Sequence, residues 1–245
     1  LLMKMSLRFL FCALFCCGAL TFSAALSAQD VGSVGTKDNL DLPVDAVGEN
    51  VTEEEDAPEV VIFYGQQLEG DGFFYTVDRS GSMLDRGELA RAKQEIARNI
   101  QEFSDRTEFG VVFFDSGVLR YPSTGRPIEA NAGMKSAALS WIAAVGGGSG
   151  SCCQQGILAA LQFANFSSAQ RKVVCYVGDG GGTGPCGGTG GESGYLNQTL
   201  QRVAQQNYQR VTINTIGVMM SGRGMQETFL RNIARGNGGT YKRIN

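Results

Sequence analysis

The stretch FFYTVDRSGSM, residues 73–83, combines a strongly apolar run with a cluster of oxygen-bearing side chains. Residues 73–77 are aromatic or β-branched and contain neither Gly nor Pro, which is typical of a strand covered on both faces. Asp78, Ser80 and Ser82 follow on alternate positions, and Gly81 permits a tight turn between them. The pattern predicts a buried central strand that ends in one carboxylate and two hydroxyl groups.

These side chains suggest a site for a hard metal cation. Carboxylate and hydroxyl oxygens, with no His or thiolate among them, suit Mg²⁺, Mn²⁺ or Ca²⁺ better than zinc or copper. The alternative is a polar turn in which Asp78 and the serines bond only backbone N–H groups. This stretch alone leaves both interpretations open.

Strand and helix patterns alternate through the rest of the folded sequence. We predict further strands at residues 60–64, 109–114, 118–121, 173–177, 211–216 and 240–244, with residues 66–72 as a turn that allows a hairpin-like pairing into the central strand. Asp85 and Glu88 have the spacing of a capping box that opens a helix, and helical periodicity recurs near residues 134–145, 157–164, 196–203 and 225–233. The alternation predicts an α/β fold: a doubly wound, mainly parallel sheet with helices on both faces.

A second carboxylate is expected at the same edge of this sheet. Asp179 ends the strand VVCYVGD, and the polar loop GGGSGSCCQQG, residues 146–156, precedes a helix. Ligands of such folds bind at the carboxyl ends of the strands, where the strand order reverses. If the strands that end in Asp78 and Asp179 are neighbours there, three loops meet at one point, which favours the cation site over the polar turn.

Composition excludes several classes of function. The chain has 245 residues, is 43% hydrophobic and 18% charged, and contains no histidine. It is therefore globular, with one main domain expected. Without histidine, the protein can form neither Ser-His-Asp nor Cys-His catalytic groups, nor any His-ligated metal centre.

The N-terminal segment predicts export. Lys4 and Arg8 precede an apolar run at residues 9–22, and small residues follow, as in a secretory signal peptide covering residues 1–28. An uncleaved anchor is the alternative, although the run is short for a span of roughly 20 residues. Residues 29–58 are acidic and lack aromatic residues, which predicts a flexible linker before a domain at residues 59–245.

The expected mature chain is secreted or periplasmic and acidic. Without Lys4 and Arg8, 19 basic residues face 24 acidic residues, a net charge of −5, which argues against a nucleic-acid partner. The sequence has no second apolar run of spanning length, so we predict no membrane span in the mature chain.

Three motifs resemble those of von Willebrand factor type A (VWA) domains. DRSGS, residues 78–82, is similar to the DxSxS motif of that family, VGDG at 177–180 resembles its strand-ending TDG, and residues 229–244 are similar to its last helix and strand. The resemblance covers about residues 59–245 and implies a Rossmann-like VWA fold with a metal-ion-dependent adhesion site (MIDAS). It further implies that Ser80 and Ser82 bind Mg²⁺ directly and that Asp78 and Asp179 act mostly through water.

The loop at residues 146–156 departs from the family pattern. The family commonly has a threonine ligand in this loop, and here Ser149, Ser151 or Cys153 could take that place depending on where the count starts. A thiolate is a poor Mg²⁺ ligand. We therefore expect Ser151 to replace the threonine, with Ser149 as the second choice and no replacement as the remaining alternative.

Four cysteines remain after the predicted signal peptide. Cys175 lies within a strand and is expected to be part of the core, whereas Cys152, Cys153 and Cys186 lie in two loops that border the predicted site. In an exported protein, we predict a disulfide between Cys186 and either Cys152 or Cys153.

These observations favour a non-enzymatic binding module. By the resemblance, it engages a protein or peptide ligand whose acidic side chain completes the coordination of a bound divalent cation. Two alternatives remain. One is a VWA scaffold with a degenerate, metal-free site, and the other is a metal-assisted hydrolase that uses the same carboxylates.

Overall fold

The computed structural model describes residues 57–183, Cys186 and residues 190–244. The predicted signal peptide and the predicted linker up to residue 56 lie outside the described residues. The strands of the described part are β1 (Glu59–Phe63), β2 (Gln66–Gly70), β3 (Gly72–Asp78), β4 (Glu108–Phe114), β5 (Val118–Tyr121), β6 (Ile128–Glu129), β7 (Ser151–Cys152), β8 (Lys172–Gly178), β9 (Gly182–Thr183), β10 (Thr212–Val218) and β11 (Tyr241–Ile244). The helices are α1 (Gly81–Asp85), α2 (Glu88–Glu102), α3 (Ala132–Ala144), α4 (Cys153–Phe166), α5 (Gly191–Gln206) and α6 (Gly224–Gly236).

The central sheet has the strand order β11-β10-β8-β3-β4-β5, and β6 also pairs with β4. β3 is parallel to both of its neighbours: Val77 pairs with Val177 of β8, and Asp78 pairs with Phe114 of β4. Only β5 and β6 run antiparallel to β4 in this sheet. The doubly wound, mainly parallel sheet that the sequence predicts is therefore correct, and the strands ending in Asp78 and Asp179 are neighbours.

Two apolar cores cover the two faces of this sheet. Phe73, Tyr75 and Val77 of β3 face the core formed with the β1–β2 hairpin, α2 and α3. Phe74 faces the opposite core, formed with α4, α5 and α6. All seven residues of β3 are buried, as expected of a strand covered on both faces. The helices therefore lie on both faces of the sheet, as predicted.

Helix α4 approaches the sheet closely at two glycines. A side chain at Gly110 of β4 would overlap the Phe163 ring, and one at Gly156 of α4 would overlap the Phe114 ring. The absence of a Cβ atom at these positions lets the helix backbone and the strand come together. This contact fixes the first turn of α4, which lies directly after β7.

Two local predictions were wrong. Residues 66–70 form a strand, so the hairpin partner of β1 is β2 and not the central strand β3. The capping box at Asp85 and Glu88 does not form, because Asp85 ends α1 and Gly87 precedes α2 with no side-chain cap. A buried Met83 gives α1 its own contact with the core, so the chain makes a separate helical turn there before α2.

Trp141 of α3 packs against aromatic side chains of the sheet. The ring centroid of Trp141 lies 5.7 Å from that of Phe113 and 5.6 Å from that of Tyr121.

Among the residues that the structure describes, no helix is long and apolar enough to cross a bilayer.

Candidate cation site

The turn after β3 presents its three polar side chains in a fixed arrangement. The backbone N–H of Ser80 donates to Oδ1 of Asp78 at 2.7 Å, and the N–H of Met83 donates to the carbonyl oxygen of Ser80 at 3.0 Å. Asp78 is fully buried and Ser80 is 6% exposed. This turn therefore holds the hydroxyls of Ser80 and Ser82 at the carboxyl end of the strand, with their oxygens 3.2 Å apart.

Asp179 approaches the same point from the end of β8. The Ser82 hydroxyl donates to Oδ2 of Asp179 at 3.1 Å, and the Gly181 N–H donates to Oδ1 at 3.0 Å. Asp179 is 4% exposed, so its carboxylate lies inside the edge of the domain. The structure thus brings together two carboxylates that are 101 positions apart in the sequence.

Ser151 supplies a third hydroxyl from a different loop. Its Oγ lies 2.7 Å from Oδ2 of Asp78 and 3.0 Å from the carbonyl oxygen of Gly181. The side chain is buried because β7 pairs with β9, in the register of Ser151 with Thr183 and Cys152 with Gly182. This two-residue ladder holds the loop before α4 against the loop after Asp179.

The other two residues considered in this loop lie elsewhere. Ser149 is exposed, and its carbonyl oxygen accepts a hydrogen bond from the N–H of Ser116 at 3.1 Å. Cys153 opens α4 and is buried in the core that α4 forms with the sheet. Burial raises the pKa of the Cys153 thiol to about 12, so it stays protonated at neutral pH. Of these three residues, Ser151 is the one whose hydroxyl donates a hydrogen bond to Asp78.

A disulfide joins the two loops that form the β7–β9 ladder. Of the two partners that the sequence leaves open for Cys186, the structure pairs Cys152, with the Cα atoms 5.3 Å apart. Cys153 and Cys175 are free and buried. Since Cys152 follows Ser151 directly, the covalent link lies beside one of the site hydroxyls.

The electrostatics of the site favour a bound cation. Burial raises the pKa of Asp78 to about 6; hydrogen bonds from Ser80 and Ser151 oppose this rise and the neighbouring Asp179 adds to it. A buried carboxylate is costly to ionise unless a positive charge compensates it. A divalent ion beside Asp78 would remove this cost.

The spacing of the donor oxygens fits a small hard cation. At metal–oxygen distances of about 2.1 Å, adjacent ligands of an octahedral Mg²⁺ ion lie about 3.0 Å apart. The hydroxyl oxygens of Ser80 and Ser82, 3.2 Å apart, have about this separation. Within the described residues, no three His, Cys, Asp or Glu side chains cluster as a metal centre, so a cation here would depend on the serine hydroxyls.

Four neighbours of the site were missed by sequence reasoning: Arg223, Arg79, Asp115 and the carbonyl group of Gly181. Arg223, directly before α6, forms an ion pair with Asp179 at 3.1 Å, and Arg79 pairs with Asp115 at 2.6 Å beside the site. The Gly181 carbonyl oxygen faces Ser151. Asp115 directly follows β4 at the carboxyl edge of the sheet, so the rule that ligands gather at that edge could have indicated it.

The fold and this arrangement define a class: doubly wound α/β domains with an oxygen-donor site where the strand order reverses. Solved structures narrow the class further. The chain is similar to a von Willebrand factor type A protein from Catenulispora acidiphila, with a TM-score of 0.58 and 22% identity over 71% of this chain and 38% of that one. The protein has the von Willebrand factor type A fold.

Two bacterial pilus proteins contain a similar domain. The SpaC pilus adhesin from Lactobacillus rhamnosus GG gives a TM-score of 0.56 at 14% identity, over 71% of this chain and 28% of that one. The vWF domain of the type V pili tip protein Mfa5 from Porphyromonas gingivalis gives 0.56 at 12% identity, over 71% and 88%. No protein-family profile matches the sequence, and no curated protein sequence is recognisably similar to it.

Proposed function

We propose that this domain is a non-enzymatic binding module that uses a divalent cation to engage an acidic side chain of a protein or peptide partner. Ser80, Ser82 and Ser151 would bind the ion directly, and Asp78 and Asp179 would act mostly through water. The ion is Mg²⁺, with Mn²⁺ or Ca²⁺ as the other hard cations that these oxygens suit. It would supply the positive charge that attracts the partner's carboxylate.

One observation carries this proposal. Three separate loops bring three hydroxyls and two nearly buried carboxylates into one hydrogen-bonded cluster at the switch point of the sheet. Arg223 pairs with Asp179, but within the described residues no basic side chain forms an ion pair with the fully buried Asp78. A buried carboxylate without a compensating charge is unfavourable, so a polar turn of purely structural value would not need Asp78 at this position. With three hydroxyls bound directly and water between the ion and the two aspartates, an octahedral ion keeps positions filled by exchangeable water, and a carboxylate oxygen of the partner could replace one of these waters.

The related structures support a role in adhesion. SpaC is a pilus adhesin and Mfa5 is a pilus tip protein, and both contain the fold described here. By analogy, we propose that the partner of this domain is a protein at a cell surface or in the extracellular space. An exported location, secreted or periplasmic, agrees with the predicted signal peptide at residues 1–28.

A hydrolase built on the same carboxylates is less well supported. Catalysis would need a general base or a second metal beside the first. Asp78 already bonds Ser80 and Ser151, and Asp179 bonds Ser82 and Gly181, so both carboxylates are committed to the cluster.

Thermal unfolding with and without Mg²⁺ tests the cation site. Metal that binds only the folded state stabilises it by about 2.7 kcal/mol at a hundredfold excess over its dissociation constant. For a domain of this size, that gain raises the Tm by roughly 5 to 10 °C. Asp78→Asn, which keeps the shape of the side chain but removes its charge, should abolish the gain.

Asp115→Asn is the matched control, because Asp115 lies at the end of the adjacent strand β4. Its carboxylate is already bonded by Arg79 at 2.6 Å and by the Gly117 N–H at 2.8 Å. This variant should keep the full metal-induced gain. Equal gains in wild type and Asp78→Asn would place the ion elsewhere, and no gain in wild type with any of the three ions would favour the metal-free scaffold.

A partner search should use the same variant. Binding partners retained from the extracellular proteins of the native host should be lost with a chelator and with Asp78→Asn, and kept with Asp115→Asn. A partner that binds equally in all four conditions would show that recognition does not use the cation.

A further inference from the structure

Arg223 places a positive charge on a carboxylate of the candidate cation site. Nη2 of Arg223 lies 3.1 Å from Oδ2 of Asp179, and the two side chains are 36% and 6% exposed. The same Oδ2 atom accepts the hydroxyl of Ser82 at 3.1 Å. The guanidinium therefore approaches Asp179 at the oxygen that faces the Ser82 hydroxyl of the site.

The other arginine at this edge is engaged differently. Arg79 bonds Asp115 at 2.6 Å and the carbonyl oxygens of Gly146 and Gly147 at 3.0 and 3.4 Å. Those contacts tie the loop before β7 to the turn after β3 and do not include Asp78 or Asp179. Arg79 thus has a structural set of partners, whereas the Arg223 ion pair involves a carboxylate of the site itself.

The position of Arg223 allows its side chain to move away from Asp179. It lies at the start of α6, where its backbone N–H donates to the Met220 carbonyl oxygen at 3.1 Å and its own carbonyl oxygen accepts the Glu227 N–H at 2.9 Å. These hydrogen bonds fix the backbone of Arg223, whereas its side chain is partly exposed. A partly exposed guanidinium can exchange its partner for water at small cost.

We propose that Arg223 is a built-in competitor of the divalent cation, which neutralises Asp179 in the metal-free protein and thereby sets the metal affinity of the site. This inference rests on the proposed cation site. A divalent ion beside Ser82 and Asp179 and a guanidinium on Oδ2 of Asp179 would be like charges only a few ångströms apart, and such charges repel. Loading the ion therefore requires the guanidinium to move away from Asp179.

The competition raises the cation concentration that the site needs in order to bind a metal ion. Without Arg223, Asp179 would face the ion with no guanidinium paired to its Oδ2 atom. With Arg223 present, the guanidinium already neutralises part of the charge of Asp179, so the ion binds more weakly and is released more easily. The residue would keep the folded domain stable without metal while limiting loading to conditions in which the cation is abundant.

Isothermal titration with Mg²⁺ alone tests the proposal. Arg223→Gln should tighten Mg²⁺ binding by about tenfold, which corresponds to about 1.4 kcal/mol. Arg223→Lys keeps the charge and should stay within about threefold of wild type. Since the effect is electrostatic, raising the salt concentration should shrink the difference between wild type and Arg223→Gln.

Arg231→Gln is the matched control. Arg231 lies on the same helix and carries the same charge, but it pairs with Glu227 at 2.7 Å. The control should leave the Mg²⁺ affinity unchanged, which separates a local effect from the change in net charge. If Arg223→Gln and Arg231→Gln change the affinity equally, the proposal is wrong.

Failure of this inference can be told apart from failure of the cation site. Mg²⁺ binding by wild type with an unchanged or weaker affinity in Arg223→Gln overturns the role of Arg223 and leaves the cation site intact. Absence of binding in both proteins overturns both proposals. Mg²⁺ binding by Arg223→Gln but not by wild type would support both proposals, because it would show that Arg223 prevents metal binding in wild type.

Discussion

Asp78, Ser80 and Ser82 lie within five consecutive residues at the end of β3, whereas Ser151 and Asp179 come from two loops joined by a disulfide. We call the first set the contiguous half of the site and the second set the assembled half. The contiguous half follows a fully buried strand and a turn anchored by Met83. In the assembled half, Asp179 directly follows the central strand β8, whereas Ser151 depends on the two-residue β7–β9 ladder and on the Cys152–Cys186 link.

This difference separates two ways of positioning a ligand. A side chain at the end of a central strand is placed by the core, so it keeps its position for as long as the domain is folded. A side chain on a short ladder between loops is placed by a few local bonds, so it can be displaced while the fold remains. We therefore expect the two halves to respond differently to the same perturbation.

The largest expected effect comes from breaking the disulfide. The link closes a loop with a sequence separation of 34 residues, which chain-entropy estimates value at roughly 3 to 4 kcal/mol of stability. Cys152→Ser with Cys186→Ser should therefore lower the Tm by roughly 10 °C. It should also weaken Mg²⁺ binding, because the Ser151 hydroxyl loses its tether.

Reductant provides the control for this variant. Adding it should destabilise wild type to the level of the double variant and should leave the double variant unchanged. Non-reducing peptide mapping that finds Cys152 and Cys186 as free thiols in the natively purified protein would contradict the pairing.

The next largest expected effect is a dependence of stability on pH in protein kept free of metal by a chelator. The pKa of Asp78 is raised from 3.8 to about 6, mainly by burial, so the folded state binds this proton more tightly than the unfolded state does. Stability from this group is therefore present below about pH 4 and is lost as the pH rises through about 6. The loss amounts to about 2 to 3 kcal/mol.

Comparison with Asp78→Asn isolates the contribution of this carboxylate, because the two proteins differ only in this side chain. With chelator present, wild type should lose stability relative to Asp78→Asn between pH 4 and pH 7, as measured by urea unfolding. Saturating Mg²⁺ should reverse the trend, since the ion binds the ionised carboxylate. A difference that does not change with pH would mean that Asp78 titrates normally.

The contiguous half could be read from the sequence because its residues are close together in the chain. The apolar run at residues 73–77 predicts the strand, and Asp78, Ser80 and Ser82 follow on alternate positions, so no tertiary information is needed to group them. Asp179 was identified by the same reasoning, since it also ends a strand. The parallel pairing of β3 with β8 then brings the two carboxylates together.

The assembled half could be predicted only in part. Ser149, Ser151 and Cys153 are all compatible with the loop sequence, and the choice depends on the β7–β9 ladder, which is too short to leave a periodic pattern. Arg223 was missed because its partner is 44 positions away and nothing near it in the chain suggests an ion pair. Local propensity also failed at residues 66–70, where tertiary pairing with β1 makes a strand of a polar sequence.

Alanine substitutions of two serines should distinguish the halves directly. Removing a hydroxyl ligand, in Ser82→Ala or Ser151→Ala, should weaken Mg²⁺ binding by about tenfold or more, or about 1.4 kcal/mol. In the Cys152→Ser, Cys186→Ser background, Ser82→Ala should keep its full effect. Ser151→Ala should lose most of its effect there, because its hydroxyl is no longer held in place.

This double-mutant cycle measures the coupling between the disulfide and each hydroxyl. A coupling of at least about 0.5 kcal/mol for Ser151, with none for Ser82, would support the two-halves description. Equal coupling for both serines would show that the disulfide acts on the whole domain and not on the assembled half.

The smallest expected effects concern the choice of hydroxyl in the loop before α4. Ser151→Thr keeps the oxygen next to Asp78 and adds one methyl group on a strand, where β-branched residues are favoured, so Mg²⁺ affinity should stay within about threefold, or about 0.7 kcal/mol. Ser149→Ala should leave the affinity unchanged, because Ser149 is exposed and contributes its carbonyl oxygen to Ser116. Titration of both variants with Mg²⁺ alone checks these expectations. A tenfold loss in Ser149→Ala together with normal binding in Ser151→Ala would move the third hydroxyl ligand to Ser149, and the β7–β9 ladder would then have no part in positioning the ion.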